Sequence, residues 1–114
     1  MNAQYQPLAD KFKALAHPAR LQIVDLLRGG ELCVCHIEAA LGKRQAYVSQ
    51  QLMALREAGV VESRRDGLQV YYWIVDPQVE ALLDLLRGPL ASGHHALDGC
   101  PCPQCSTVNV TLFD

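Results

Sequence analysis

The strongest constraint on the fold is a change of hydrophobic period near the middle of the chain. Up to Gly59 the apolar residues recur at helical spacing. Beyond it, Val60–Arg65 and Leu68–Val75 are rich in β-branched and aromatic residues, and Asp66-Gly67 between them is a two-residue hairpin signal. The sequence therefore predicts a series of helices followed directly by a β-hairpin.

Helical spacing, together with proline and glycine at the segment ends, predicts five helices. The first helix ends near Ala16, the second runs from Pro18 to Gly29-Gly30, and the third covers Glu31–Leu41. The fourth helix runs from about Arg44 to Ala58. The last helix follows Asp76-Pro77 and ends at Gly88-Pro89. With 114 residues the chain fits one domain. We assign residues 1–90 to this domain and residues 91–114 to a cysteine-containing tail.

The order of the central elements is that of a winged helix-turn-helix. A short helix, a tight turn at Gly42-Lys43, a second helix and a hairpin follow one another. In that motif the second helix enters the major groove, where its first turns reach base edges. We predict a mainly α fold with a two-stranded wing. The alternative for the polar helix is a solvated face in an ordinary small α+β domain.

The side chains predicted to contact DNA lie on the fourth helix and on the wing. The exposed half of the helix offers Gln45, Tyr47, Ser49, Gln50 and Gln51. Amides pair with adenine, and hydroxyls bond either bases or phosphates. Arg64 and Arg65 precede the hairpin turn, where they suit phosphate or minor-groove contact.

The formal net charge of −2 argues weakly against a nucleic-acid partner. The distribution of charge matters more than its sum. A short segment concentrates the basic residues Lys43, Arg44, Arg56, Arg64 and Arg65. No apolar run approaches the ~20 residues that span a bilayer, and the N-terminus lacks the apolar core of a signal peptide. We expect a cytoplasmic protein with no membrane partner.

Five cysteines without a secretory signal suggest reduced thiols that serve metal or redox chemistry. Cys33 and Cys35 form one cluster, and Cys100, Cys102 and Cys105 form another with His94 and His95 close by. Thiolates are soft ligands for arsenic(III), antimony(III), cadmium, lead, copper(I) and zinc. The alternative for the first pair is two buried cysteines that act as small hydrophobes. For the tail, the alternative is a disordered and readily oxidised segment.

The spacing of Cys33 and Cys35 suggests how binding could act as a switch. Residues two apart on an α-helix lie ~200° apart around its axis, so both thiols reach one ion only if the helix distorts. Chelation would then deform the first turn of the third helix, directly before the groove-reading helix.

Several motifs together resemble the ArsR/SmtB family of metal-responsive repressors. They are Leu15–Leu21, Glu31–Cys35, Leu41–Leu52, Leu55–Val61 and the stretch from Gly67 through Tyr72. The resemblance implies a homodimer, joined by the first and last helices and bound to an inverted-repeat operator in double-stranded DNA. It also implies that DNA is released when an effector binds. The positions that match the family's DNA contacts are Gln45, Ala46, Ser49 and Gln50. Tyr47 lies among them and is larger than the family's usual residue.

The resemblance is closest to the arsenic-responsive branch, which implies arsenic(III) or antimony(III) as the effector at Cys33 and Cys35. That branch carries a further cysteine three positions beyond, where this chain has Glu38. The missing ligand could come from Cys100, Cys102 or Cys105, or from His36, or two thiols could suffice for a monosubstituted organoarsenical. The family's other metal site has no match, because Pro77–Leu86 contains no histidine.

Other functions remain open at this point. A repressor of the same fold could sense cadmium or lead. It could also sense oxidants or persulfides through a disulfide, which we expect to join one of the paired thiols to the tail. Cys102-Pro-Gln-Cys105 fits the C-x-x-C pattern of thiol oxidoreductases but lacks the strand and helix which that chemistry needs. We therefore predict that the protein is not an enzyme.

Overall fold

The computed structural model describes residues 2–90, which form five helices and a three-stranded antiparallel sheet. The elements in chain order are α1 (Asn2–Leu15), α2 (Pro18–Leu27), β1 (Leu32–Cys33), α3 (Val34–Leu41), α4 (Gln45–Glu57), β2 (Val61–Asp66), β3 (Gln69–Ile74) and α5 (Pro77–Arg87). The predicted winged helix-turn-helix is confirmed, with α3 and α4 as its helices and β2–β3 as its wing. None of the described helices is long and apolar enough to cross a membrane.

The starts of α2 and α5 follow the same local rule. Each begins with a proline in its first turn, preceded by a side chain that caps the helix. Asp76 accepts a hydrogen bond from the Gln78 N–H at 3.0 Å. His17 accepts one from the Ala19 N–H through Nδ1 at 3.2 Å. A histidine therefore caps α2, as an aspartate caps α5.

The core lies between α2, α3, α4 and the start of the wing, and α5 contributes Val79 and Leu83. The predicted stripe of Val48, Leu52 and Leu55 is fully buried. This packing turns the opposite face of α4 outward.

The hairpin forms as predicted, but its turn is one residue later. Asp66 pairs with Gln69 across the two strands, so the two connecting residues are Gly67 and Leu68. Gly67 has a φ of +64°, and the first central position of such a turn favours glycine for that reason.

The predicted start of the third helix is wrong. The observed helix begins at Val34, because Leu32 and Cys33 form a strand that pairs with Tyr72 and Tyr71 of β3. Cys33 has extended backbone angles and caps α3, so it belongs to no helical turn. The strand turns the predicted two-stranded wing into a sheet of order β1-β3-β2. Two residues are too few to give a recognisable strand period in the sequence.

Candidate DNA-reading surface and thiol pair

The outward face of α4 carries most of the predicted base-reading side chains. Gln45, Ala46, Ser49 and Gln50 are exposed, and Tyr47 is half-buried. The Lys43 ammonium lies 5.8 Å from the centre of the Tyr47 ring, in cation–π range. The structure thus presents these residues together on one surface, with a positive charge at its edge.

Gln51 does not belong to that surface, which corrects the expectation that it is exposed. It is 7% exposed, and its Oε1 accepts a hydrogen bond from Arg20 Nε at 2.9 Å. The helical spacing explains the error: Gln51 lies three residues after Val48 and so faces the protein interior. Its function is to join α4 to α2.

The two wing arginines differ in their surroundings. Arg65 is exposed, and within residues 2–90 its side chain makes no hydrogen bond or ion pair. Arg64 donates hydrogen bonds to Glu31 from Nε at 2.8 Å and from Nη2 at 2.7 Å. These bonds lower the pKa of the Glu31 carboxyl below its ordinary value. Arg65 is therefore available to a phosphate, whereas Arg64 already has an anionic partner.

Cys33 and Cys35 lie together at the start of α3. Their Sγ atoms form a disulfide, with the Cα atoms 5.4 Å apart. We expected the two thiols on opposite sides of a regular helix, and we expected any disulfide to join one of them to the tail. The structure differs on both points. Cys33 stands before the first helical turn in extended conformation, which brings its side chain next to that of Cys35.

The pair contacts both halves of the DNA-binding motif. Cys33 is fully buried, and its Sγ accepts a hydrogen bond from the His36 N–H at 3.4 Å, which caps α3. Its backbone pairs with Tyr71 on the wing strand β3. The Sγ of Cys35 lies 3.8 Å from Gln69 Oε1, also on β3. A chemical change at the pair thus reaches α3 and the wing at once.

Known proteins resemble this chain in sequence and fold. The model of the bacterial regulatory protein, arsR family, matches residues 17–63. The biofilm growth-associated repressor of Agrobacterium fabrum is 41% identical over 86 residues, covering 75% of this chain and 74% of that protein. The chain belongs to the ArsR family. It is a transcriptional repressor, and not an enzyme.

Two solved structures show the same fold as this ArsR-family repressor. One is the homodimeric winged helix-turn-helix DNA-binding domain of a possible ArsR-family regulator from Mycobacterium bovis. It has a TM-score of 0.69 and 41% identity, and the match covers 75% of this chain and 80% of that one. The other is reduced HlyU from Vibrio cholerae, with a TM-score of 0.72 and 30% identity over 81% of this chain and 97% of that one.

Ligands for an ion are few in the described part of the repressor. Residues 2–90 contain no group of three or more His, Cys, Asp or Glu side chains placed to hold a metal. His36, named above as a possible ligand, is 4% exposed and therefore buried. Cys100, Cys102 and Cys105 lie outside the described residues. Within residues 2–90 the candidate sensing site is thus the thiol pair alone.

The sequence did not reveal which residues surround the thiol pair in this repressor. Glu31 and Tyr71 contact Arg64, and Gln69 contacts Cys35. These contacts depend on the pairing of β1 with β3, and a strand of two residues leaves no recognisable pattern in the sequence.

Proposed function

We propose that this repressor leaves its operator when arsenic(III) or antimony(III) binds to the reduced thiols of Cys33 and Cys35. The proposal is carried by one observation, the placement of both Sγ atoms next to each other at the start of α3. Two adjacent thiolates chelate one soft ion well. With arsenite, each thiol would give its proton to an arsenic-bound hydroxide, which leaves as water, and two S–As bonds would form.

Release would follow from what the pair contacts. An ion held by Cys33 competes for the sulfur lone pair that accepts the His36 N–H bond and so weakens the cap of α3. It also fixes the distance between the two sulfurs, and Cys33 and Cys35 each lie against β3. Both effects would move α4 and the wing relative to each other, and therefore relative to the groove.

A third ligand would have to come from elsewhere, because the position used by the arsenic-responsive branch is Glu38. We propose Cys100, Cys102 or Cys105 for this role, from the same or the other subunit. Two thiols alone would serve for a monosubstituted organoarsenical. Cadmium and lead are the alternative ions, since they also prefer thiolates.

The operator is proposed to be an inverted repeat bound by a homodimer. The outward side chains of α4 (Gln45, Ala46, Tyr47, Ser49 and Gln50) would read base edges, while Arg65 contacts phosphate. An apolar surface for the dimer exists on α1 and α5, where Leu8, Phe12, Leu85 and Leu86 are exposed.

The test is release of a fluorescent operator, selected from random DNA, from the fully reduced protein. Arsenite, antimonite, methylarsenite, cadmium, lead and zinc are each titrated, and intact mass is recorded at the midpoint. We expect release by the arsenic and antimony compounds with one ion per subunit. Release by cadmium or lead alone would show that the effector is a metal ion and not a metalloid. No release by any ion would reject ion sensing.

A second candidate is thiol redox sensing, which the disulfide between Cys33 and Cys35 favours. Hydrogen peroxide would take two hydrogens from the dithiol, giving the disulfide and two waters. The same assay separates the two functions. Release by peroxide or polysulfide with loss of two hydrogens, and none by arsenite, would support redox sensing in place of ion sensing.

A further inference from the structure

Arg64 is held from two sides, although a wing cation is usually expected to be free for DNA. Its guanidinium makes two hydrogen bonds to the Glu31 carboxylate, at 2.7 and 2.8 Å. It also stacks over the Tyr71 ring, 4.6 Å from the ring centre. Such paired bonds match the geometry with which arginine binds a phosphate. Glu31 occupies the Nε–Nη2 edge, and Nη1 lies 3.9 Å from Asp66 Oδ2. A DNA phosphate that binds through the Nε–Nη2 edge must therefore compete with Glu31.

The same residues connect Arg64 to the thiol pair. Tyr71 on β3 lies directly opposite Cys33 on β1 and, across its other edge, opposite Arg64 on β2. Directly opposed residues of an antiparallel sheet project to the same face. The buried sulfur, the ring and the guanidinium therefore form one row, and Glu31 lies two residues before Cys33.

We propose that Glu31 competes with operator phosphate for Arg64, and that this competition carries the state of the thiol pair to the wing. A shift of the Glu31–Cys33 segment against β3 changes how firmly Glu31 holds the guanidinium, and thus how strongly the wing binds DNA. The transmission rests on the proposed sensing by Cys33 and Cys35. The competition itself does not, because it depends only on the contacts of Arg64.

The competition is tested with Glu31→Gln, measured against Glu62→Gln under reducing conditions without effector. Both changes remove one negative charge next to the wing, but Glu62 pairs with Arg56 at 3.0 Å instead of with Arg64. Because each subunit loses one ion pair that opposes binding, Glu31→Gln should bind the operator about tenfold more tightly than the wild type. Glu62→Gln should change the affinity by no more than about twofold. Equal gains in the two variants would overturn the proposal.

A double-mutant cycle with Arg64→Ala decides whether the gain passes through Arg64. In the Arg64→Ala background, Glu31→Gln should have no effect on affinity. In the Glu31→Gln background, Arg64→Ala should reduce the slope of log affinity against log salt by about two per dimer, one phosphate per subunit. A Glu31→Gln gain that persists without Arg64, or an unchanged slope, would overturn the competition.

Transmission is tested by the ratio of operator affinity without and with saturating arsenite. The ratio should fall severalfold in Arg64→Ala relative to the wild type, with the arsenic stoichiometry by mass unchanged. An unchanged ratio would reject transmission through Arg64. If the wild type does not respond to arsenite, the proposed function and the transmission that rests on it fail together, while the cycle above still decides the competition.

Discussion

At the scale of single residues, Cys33 combines two functions that sequence patterns assign to different residue types. It is a candidate thiolate ligand, and its Sγ is also the cap of α3. Serine, threonine, asparagine and aspartate usually fill a cap position. The chemistry of Cys33 could be predicted from its neighbour Cys35, whereas its capping role depends on a backbone conformation that only the structure reveals.

This double function predicts a difference between two substitutions of Cys33. Serine keeps a cap acceptor for the His36 N–H, whereas alanine removes the acceptor that Cys33 supplies. In reduced protein, Cys33→Ala should be less stable than Cys33→Ser by about 1 kcal/mol. Urea unfolding followed by circular dichroism measures the difference. Equal stability of the two variants would show that the sulfur does not act as a cap.

At the scale of elements, α4 has one face that we propose to read DNA and one that packs against the rest of the protein. Gln50 and Gln51 are adjacent amides that belong to different faces. Gln51→Ala should cost about 1–3 kcal/mol of stability, because Arg20 Nε loses its acceptor at a partly buried contact. Gln50→Ala should change stability by less than about 0.5 kcal/mol yet weaken operator binding about tenfold or more. Thermal unfolding and DNA titration of both variants measure these effects. The reverse pattern of effects would contradict the assignment of the two faces.

The contact of α5 with α1 predicts a pH dependence. Lys11 forms an ion pair with Asp76 at 2.6 Å, and this pair, with the cap hydrogen bond from Gln78, lowers the pKa of Asp76 below its ordinary 3.8. A lowered pKa in the folded state stabilises the protein above the unfolded value, and this contribution disappears as the pH falls through the folded value. Asp76→Asn keeps a capping side chain but loses the charge. The stability advantage of the wild type over Asp76→Asn should therefore shrink from about pH 6 to about pH 2 in urea unfolding. A constant advantage would contradict the ion pair.

The elements that were predicted correctly are those with a long period or a strong local signal. The stripe of α4 and the wing hairpin were both visible, because each spans enough residues to show its repeat. The start of α3 was not, since β1 is two residues long and gains its stability from pairing with a distant strand. The candidate site divides in the same way. Its ligands could be named from cysteine spacing, but the hydrogen bonds from Arg64 to Glu31 depend on contacts across the sheet.

At the scale of the whole molecule, the described chain leaves apolar surface exposed on α1 and α5. Phe12 is 53% exposed and lies beside Leu82 and Leu86 in an apolar cleft of about 200 Å³. An exposed surface of this kind marks an interaction site. Because the homologous domain from Mycobacterium bovis is a homodimer, we expect a second copy of the chain to cover it.

The dimer is tested by placing a charge on this surface. Phe12→Glu should convert the protein to a monomer that binds an inverted repeat at least about a hundredfold more weakly, because a buried unpaired carboxylate opposes association. Met53→Glu is the control for the oligomeric state, since it adds the same charge at a residue that is 60% exposed and belongs to α4 instead of α1 or α5. Analytical ultracentrifugation should find a dimer for Met53→Glu. A dimeric Phe12→Glu would place the interface elsewhere.

The central claim is that the state of the Cys33–Cys35 pair controls binding to DNA, and one comparison tests it most directly. Operator release by arsenite is followed by fluorescence anisotropy for the reduced wild type, Cys33→Ser, Cys35→Ser and a protein ending at Gly99. We expect release from the wild type, none from either serine variant at the same arsenite concentration, and a higher midpoint for the shortened protein. Full release from Cys33→Ser, at the wild-type midpoint, would contradict the account.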